Sequence, residues 1–310
     1  MSVKLSIVSP VYKSQDLIGQ LVDRITETVE KITINYEIIL VDDSSPDKSW
    51  EKIIEICSKN KKVIGIELSR NFGQHYAITA GLDKASGEWI IVMDCDLQDV
   101  PEEIYNLYEE TKKGYDIVLA RRKDRKDKVS QKLFSFVFYK ILNYLTGINH
   151  DEKVANFGIY NKKVIDSIKS MRENVRYFPI MIQWVGFKKG FINVKHDLRD
   201  GETSYVLKKR FNIALDVILS YSDKPLRIFI KIGLLISFIS FLVSIYYLTN
   251  WVLGNTIVLG YTSLIISIWF LSGIILAALG IIGLYVGKTF QDVKKRPIYL
   301  INKILNDRKN

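Results

Sequence analysis

Short apolar runs alternate with amphipathic stretches over the first 225 or so residues. Lys4–Val8, Tyr36–Val41, Val63–Leu68, Glu88–Met93 and Asp116–Ala120 read as strands. Between them, Asp16–Ile32, Ser49–Lys59, Gln74–Ala85 and Glu102–Lys113 read as helices. In the first helix Leu17, Leu21, Ile25 and Val29 recur every four residues, along one face of a helix. Strands and helices in alternation predict an α/β domain, a mostly parallel sheet covered by helices on both faces. Ligands of such sheets gather beyond the carboxyl ends of the strands, where the strand order reverses.

The pattern then changes abruptly. From Ile232 to Gly287 there are 56 consecutive residues without Asp, Glu, Lys, Arg or His. Ile228–Tyr247 and Tyr261–Val286 are each long and apolar enough to cross a bilayer, which takes about 20 residues. Neither has the polar stripe of a soluble helix. The connector TNWVLGNTIVLG carries two Asn, two Gly and an interfacial Trp251, and no Lys or Arg. Lys224, Arg227 and Lys231 precede or open the first helix. After the second, residues 288–310 carry seven Lys or Arg against two Asp. The excess of positive charge on that side predicts that both termini face the cytoplasm, the tail resting on anionic headgroups. Met1 leads directly into a strand-like run, which argues against a signal peptide. The expected organisation is a catalytic domain over 1–225, a two-helix membrane hairpin over 226–287 and a basic cytoplasmic tail over 288–310. Within the first, 129–146 reads as an amphipathic helix whose extra Phe136, Phe138 and Tyr144 suit a membrane interface.

At 310 residues, with 48% hydrophobic and 25% charged content, the chain has ample core and is not disordered. Two cysteines and three histidines exclude a disulfide scaffold and leave little for a histidine metal site. The net charge of +10 is concentrated near the membrane segment, and no nucleic-acid partner is expected.

Candidate chemistry falls at the strand ends. Ser9-Pro10-Val11-Tyr12 follows the first strand, Asp42-Asp43-Ser44-Ser45 the second, Asp94-Cys95-Asp96-Leu97-Gln98-Asp99 the fourth and Arg121-Arg122-Lys123 the fifth. Two carboxylates one residue apart repel each other unless a cation lies between them. Mg²⁺ or Mn²⁺ takes one or two carboxylates and completes its shell with water and phosphate oxygens. Asp99, just before Val100-Pro101-Glu102, also suits a helix cap. Neither GxGxxG nor GxxxxGK[ST] is present.

The ordered segments SIVSPVYKS, EIILVDDSSPDKS, LSRNFGQHYAITAGLDKASGEWIIVMDCDLQD and DIVLARRKDR resemble family-two glycosyltransferases of GT-A fold. The later stretches NVRYFPIMIQWVGFKK and HDLRDGETSYVLKKRFNIALDVILSYSDKPLRI, followed by two membrane helices, resemble the polyprenyl-phosphate branch of that family. The QxxRW signature of processive synthases is missing. The resemblance implies transfer of one sugar, with inversion, from a nucleotide sugar to undecaprenyl phosphate at the cytoplasmic face of a bacterial inner membrane. UDP-glucose is the default donor, and a homo-oligomer is expected.

It also implies site roles. Pro10, Val11, Tyr12, Asp42 and Asp43 fall where the family holds the base and ribose, and Asp94 and Asp96 on its metal motif, with Gln98 beside it. Arg121, Arg122 and Arg125 match a basic segment linked to donor or acceptor phosphate. Arg199, with Ser204 nearby, matches an arginine that approaches the donor diphosphate. Arg70, Asn71 and Gln74 are placed either near the nucleotide or as caps, and His75 and His196 are read as packing or surface residues. The sequence departs from the family at Lys13 and Ser14, where YNE is usual, and at Ala155-Asn156-Phe157-Gly158, where GDFR is frequent. Asn156 therefore stands where some relatives place an assisting Asp. Rival readings are a glycosyltransferase with another lipid or glycan acceptor, and a catalytically inactive membrane-anchored scaffold that binds nucleotide sugar.

Overall fold

The computed structural model describes residues 3–122, 144–145, 154–194, 218, 222–253 and 260–307. The chain divides into two compact units. One comprises Met1–Lys140, Ile148–Ser204 and Pro297–Asn310; the other comprises Ile141–Gly147 and Tyr205–Arg296.

The first unit is built on strands β1 (Leu5–Val11), β2 (Tyr36–Asp42), β3 (Val63–Leu68), β4 (Trp89–Val92), β5 (Ile117–Arg122), β6 (Val154–Asn161), β7 (Lys189–Val194) and β8 (Ile301–Leu305). Its helices are α1 (Ile18–Val29), α2 (Ser49–Lys59), α3 (Gln74–Lys84), α4 (Glu103–Thr111), α5 (Lys162–Ser170) and α6 (Phe178–Trp184). The strands form one sheet in the order β7-β5-β6-β4-β1-β2-β3-β8. Neighbours from β4 through β1 and β2 to β3 are parallel, in registers such as Ile7↔Ile38 and Ile7↔Ile91.

Burial follows the two-residue period of the strands. Leu5 and Ile7 of β1, with Ile38 and Leu40 of β2, pack beneath Leu21 and Ile25 of α1 and Ile53 of α2. Val8, Ile39 and Val41 face the other way, onto Ala77 and Ile78 of α3 and Ile165 of α5. Both faces are buried, so these strands read as continuous apolar runs. Helix α3 lies unusually close to the sheet, since a Cβ on Gly81 would meet Val8 Cγ1 at 2.4 Å.

The sheet is mostly parallel, as expected, and β6, absent from the sequence reading, runs antiparallel to both β4 and β5. Two expectations need correction. Strands β1, β2 and β5 run further than expected, so Pro10, Val11, Asp42, Arg121 and Arg122 lie within strands rather than beyond them. Pro10 costs no ladder hydrogen bond, because the β1–β4 pairing ends at Val8↔Val92. Finally, residues 288–310 are not simply a tail. β8 pairs antiparallel with β3, Gly65 opposite Leu305. Asn306 donates its amide to the carbonyls of Cys57 at 2.7 Å and Val63 at 2.8 Å. Tyr299 donates to Asp83 at 2.7 Å, and Lys84 meets Asp307 at 2.9 Å. The apolar side chains Ile304 and Leu305 and these polar contacts make the segment an edge strand of the sheet.

The second unit holds α7 (Lys224–Val252) and α8 (Tyr261–Val293), both long and apolar enough to cross a membrane. Their large side chains are exposed, Leu234 at 66% and Trp269 at 77%, unlike those of a core helix. α8 runs past the apolar stretch through Lys288 and Asp292. The carbonyls of Tyr144 and Leu145 accept from Lys224 Nζ and Ser222 Oγ at the entry to α7. The remainder of the expected 129–146 helix, and the connector around Asn255, lie outside the described residues.

Candidate active site

Strands β4, β1, β2 and β3 run parallel, and β5 points the same way because β6 is antiparallel to both β4 and β5. Their carboxyl ends therefore share one edge. Along it lie Arg121 and Arg122, then Asn156 at the start of β6, Asp94 and Asp96 after β4, Tyr12 after β1, and Asp42 and Asp43 at the end of β2. Strand order reverses between β4 and β1, which is where open α/β sheets bind ligands.

Asp42, the last residue of β2, and Asp43, the next, are held differently. Asp43 uses both carboxylate oxygens on the loop after β3, accepting the backbone N–H of Phe72 at 2.7 Å and of Gly73 at 2.8 Å. Gly73 has φ +109°, a conformation that a side chain would strain. Burial raises the Asp43 carboxyl above its ordinary value, against the opposing pull of those two hydrogen bonds. Asp42 is 1% exposed; its Oδ2 accepts the N–H of Ser45 at 3.1 Å, while Oδ1 is buried with no hydrogen-bond partner among the described residues. Its pKa is raised chiefly by burial, opposed by Ser45 and reinforced by the Glu67 and Asp47 carboxylates. A buried acceptor of this kind suits an N–H or O–H brought by a ligand.

Tyr12, 44% exposed, tops a turn that is tied down on several sides. Lys13, at φ +55°, donates its N–H to Ser45 Oγ at 3.2 Å. The N–H of Ser14 donates to Ser49 Oγ at 3.1 Å, and the Ser14 hydroxyl lies 3.0 Å from Cys95 Sγ. The departure from YNE thus forms an ordered turn joining the β1 end to α2 and to the segment between Asp94 and Asp96.

Asp94 Oδ1 accepts from Gln74 Nε2 at 2.7 Å, and Asp96 Oδ1 accepts the backbone N–H of Gln98 at 3.1 Å. Gln98 therefore meets Asp96 through its main chain. Among the described residues no group of three or more His, Cys, Asp or Glu gathers as a metal cage. Two carboxylates at a ligand-binding edge do fit Mg²⁺ or Mn²⁺, which rely on water and substrate phosphates for the other positions. Asp99 is buried and lies three residues before Glu102, the residue that takes the N-cap position of α4.

The Arg121 guanidinium stacks over the Phe191 ring at 4.5 Å. Arg122 ends β5. Asn156 lies near the start of β6, just beyond the last β4–β6 pair, Val92↔Gly158. Arg125, Arg199, Ser204 and His196 lie outside the described residues. His75 packs edge-on against Tyr177 at 4.7 Å, and burial pushes its pKa down to about 4, so the ring is neutral. Sequence reasoning left Gln74 between nucleotide contact and cap; its partner is Asp94. The Gly73 before it was the available signal for a specially shaped helix entry.

Residues 6–169 match the description Glycosyl transferase family 2. The chain is 33% identical over 305 residues to the prophage bactoprenol glucosyl transferase homolog of Escherichia coli, covering 97% of this chain and 99% of that one. It is 31% identical over 310 residues to the undecaprenyl-phosphate 4-deoxy-4-formamido-L-arabinose transferase of Photorhabdus laumondii, covering 99% and 95%. Among solved structures, glucosyl-3-phosphoglycerate synthase from Mycobacterium tuberculosis in complex with Mn²⁺ and UDP-glucose has a TM-score of 0.52 at 15% identity, covering 70% of this chain and 77% of that one. At that identity the likeness is one of fold, and the fold is GT-A.

Proposed function

Because the chain belongs to glycosyl transferase family 2, we propose that it moves one sugar from a nucleotide-sugar donor onto the phosphate of a polyprenyl phosphate. One observation carries the reading: Asp94, Asp96 and the buried acceptor of Asp42 share the switch point of a sheet whose chain also holds two long apolar helices. The Escherichia coli and Photorhabdus relatives are named for different sugars, but both names specify a polyprenyl acceptor, bactoprenol or undecaprenyl phosphate. That supports undecaprenyl phosphate as the acceptor here, with UDP-glucose as the first donor to try.

Asp42 would hold the nucleoside through its unpartnered Oδ1, while Asp43 holds the loop that walls the nucleotide. Asp94 and Asp96 would hold a divalent cation that neutralises the leaving diphosphate. Arg121 and Arg122, at the end of β5, would offset repulsion between donor and acceptor phosphates. The acceptor oxygen would then attack the anomeric carbon in line, with inversion. A phosphate monoester has a second pKa of about 6 and is largely dianionic at pH 7, so it needs orientation rather than a base. Asn156, a neutral amide near the start of β6 on the same edge, is compatible with that chemistry. The lysines and arginines flanking α7 and α8 favour the cytoplasmic face, where nucleotide sugars are made.

Purified full-length protein is offered radiolabelled UDP-glucose with undecaprenyl phosphate or undecaprenol. Transfer to the phosphate alone is expected, with Asn156→Ala retaining most activity. Equal transfer to undecaprenol would require an unidentified base and would sink the mechanism. If neither lipid is labelled from UDP-glucose or from a panel of other nucleotide sugars, the acceptor assignment fails.

A further inference from the structure

Gln74 opens α3, and the reach of its side chain is a consequence of how that helix is laid down. Gly81 lets α3 press against β1 and β2, since a Cβ there would meet Val8 Cγ1 at 2.4 Å and Val41 Cγ2 at 3.1 Å. At the other end, the N–H of Gly73 is fixed on Asp43 at 2.8 Å. These two constraints carry the first residue of the helix to the switch point, where Gln74 Nε2 donates to Asp94 Oδ1 at 2.7 Å. A carboxylate has no proton to give, so the carboxamide must present its NH₂ group to Asp94.

From this geometry we propose that Gln74 is a positioning residue for the divalent cation, holding the Asp94 carboxylate in a ligating orientation. The inference rests on the reading of Asp94 and Asp96 as the metal pair. A neutral donor suits the task better than a charged one. Lysine or arginine in its place would fix the carboxylate equally well but would cancel the charge that attracts the cation. An amide restrains the rotation of the carboxylate without itself neutralising the charge that attracts the metal. Groups that orient metal ligands in this way typically account for about a 10–100-fold change in metal affinity.

The test titrates Mn²⁺ into detergent-purified full-length protein and follows bound metal by electron paramagnetic resonance. Titrations are run on Mn²⁺ alone, then with UDP and with GDP as diphosphate probes. Gln74→Met keeps the length of the side chain and removes the donor; Gln74→Lys keeps a donor and adds charge. Both should bind Mn²⁺ about 10–100-fold more weakly than wild type, with unchanged melting temperature and unchanged nucleotide binding in EDTA. Asp96→Ala, run in parallel, should abolish Mn²⁺ binding. If wild type and Asp96→Ala differ as expected but Gln74→Met binds Mn²⁺ within threefold of wild type, the positioning role is wrong and the metal pair stands. Loss of EDTA-resistant nucleotide binding in Gln74→Met would point to a disturbed loop and would also overturn it. If wild type binds no Mn²⁺ in any titration, both the metal assignment and the role of Gln74 fall.

Discussion

Glu37 and Asp42 sit five residues apart on the same strand, at 2% and 1% exposure, yet they are engaged differently. Glu37 lies near the amino edge of the sheet. Its Oε1 accepts from Ser6 Oγ at 2.6 Å, from the Ser86 N–H at 2.8 Å and from the Ser86 hydroxyl at 2.9 Å. Ser6 Oγ in turn accepts the N–H of Gly87 at 2.8 Å, close to where a Cβ on Gly87 would collide with it. Asn306 ties down the amino end of β3 on the same edge. At the carboxyl edge, Asp42 keeps one oxygen buried and without a partner among the described residues, and burial raises the pKa of its carboxyl. A buried polar group without a partner costs free energy, and a protein tolerates it where a ligand supplies the missing bond. The amino edge thus serves stability and, in the proposed function, the carboxyl edge serves binding, within one continuous sheet.

Substitutions at the two edges should therefore move different observables. The largest effect is expected from Asp96→Ala, which should lower sugar transfer by about three orders of magnitude, or about 4 kcal/mol of transition-state stabilisation. Its thermal melt should stay close to wild type. A large drop in melting temperature would place Asp96 among the stabilising groups and erase the contrast.

Next comes Glu37→Ala, which leaves the buried Ser6 hydroxyl without its acceptor and removes the carboxylate that fixes Ser86. It should cost about 2–4 kcal/mol in denaturant unfolding, with specific activity of the folded fraction unchanged. Asn306→Ala should cost about 1–2 kcal/mol by the same measurement. It removes the amide that serves Cys57 and Val63 and places alanine at φ +55°. Little change in that variant would mean that β8 adds nothing to the stability of the sheet.

The smallest and most diagnostic change is Asp42→Asn. Burial holds the Asp42 carboxyl above its ordinary range, so ionising it costs the folded state. That cost is absent below the ordinary carboxylate pKa, grows as pH rises through it toward the raised value, and is constant above. The asparagine variant should therefore melt slightly higher than wild type at pH 7, with the gap closing as the pH falls to about 4. Calorimetry of nucleotide binding should show weaker affinity in the same variant. A lower melting temperature at pH 7 would mean that Asp42 is a structural carboxylate like Glu37.

Much of the molecule was legible along the chain because its causes are local. The boundaries of α2 and β3 were read from periodicity alone, and those of β4, α3 and α4 to within a few residues. The two apolar helices followed from 56 residues without a charge. The acids and arginines of the site were visible as polar residues at the ends of buried strands, and their order along the chain carried the family. Tertiary structure alone decided which strands became neighbours. β6 enters between β4 and β5 in the antiparallel sense, which is why Arg121 and Asp94 share an edge although β4 and β5 are not adjacent. β8 reaches back to pair Leu305 with Gly65, a partnership across 240 residues that no local period encodes. The division of labour between Asp42 and Asp43, and the bond from Gln74 to Asp94, were equally invisible. Side-chain type is written in the sequence, but which buried oxygen finds a donor depends on how closely distant segments pack, and here that distance is set by α3 lying on β1 through Gly81.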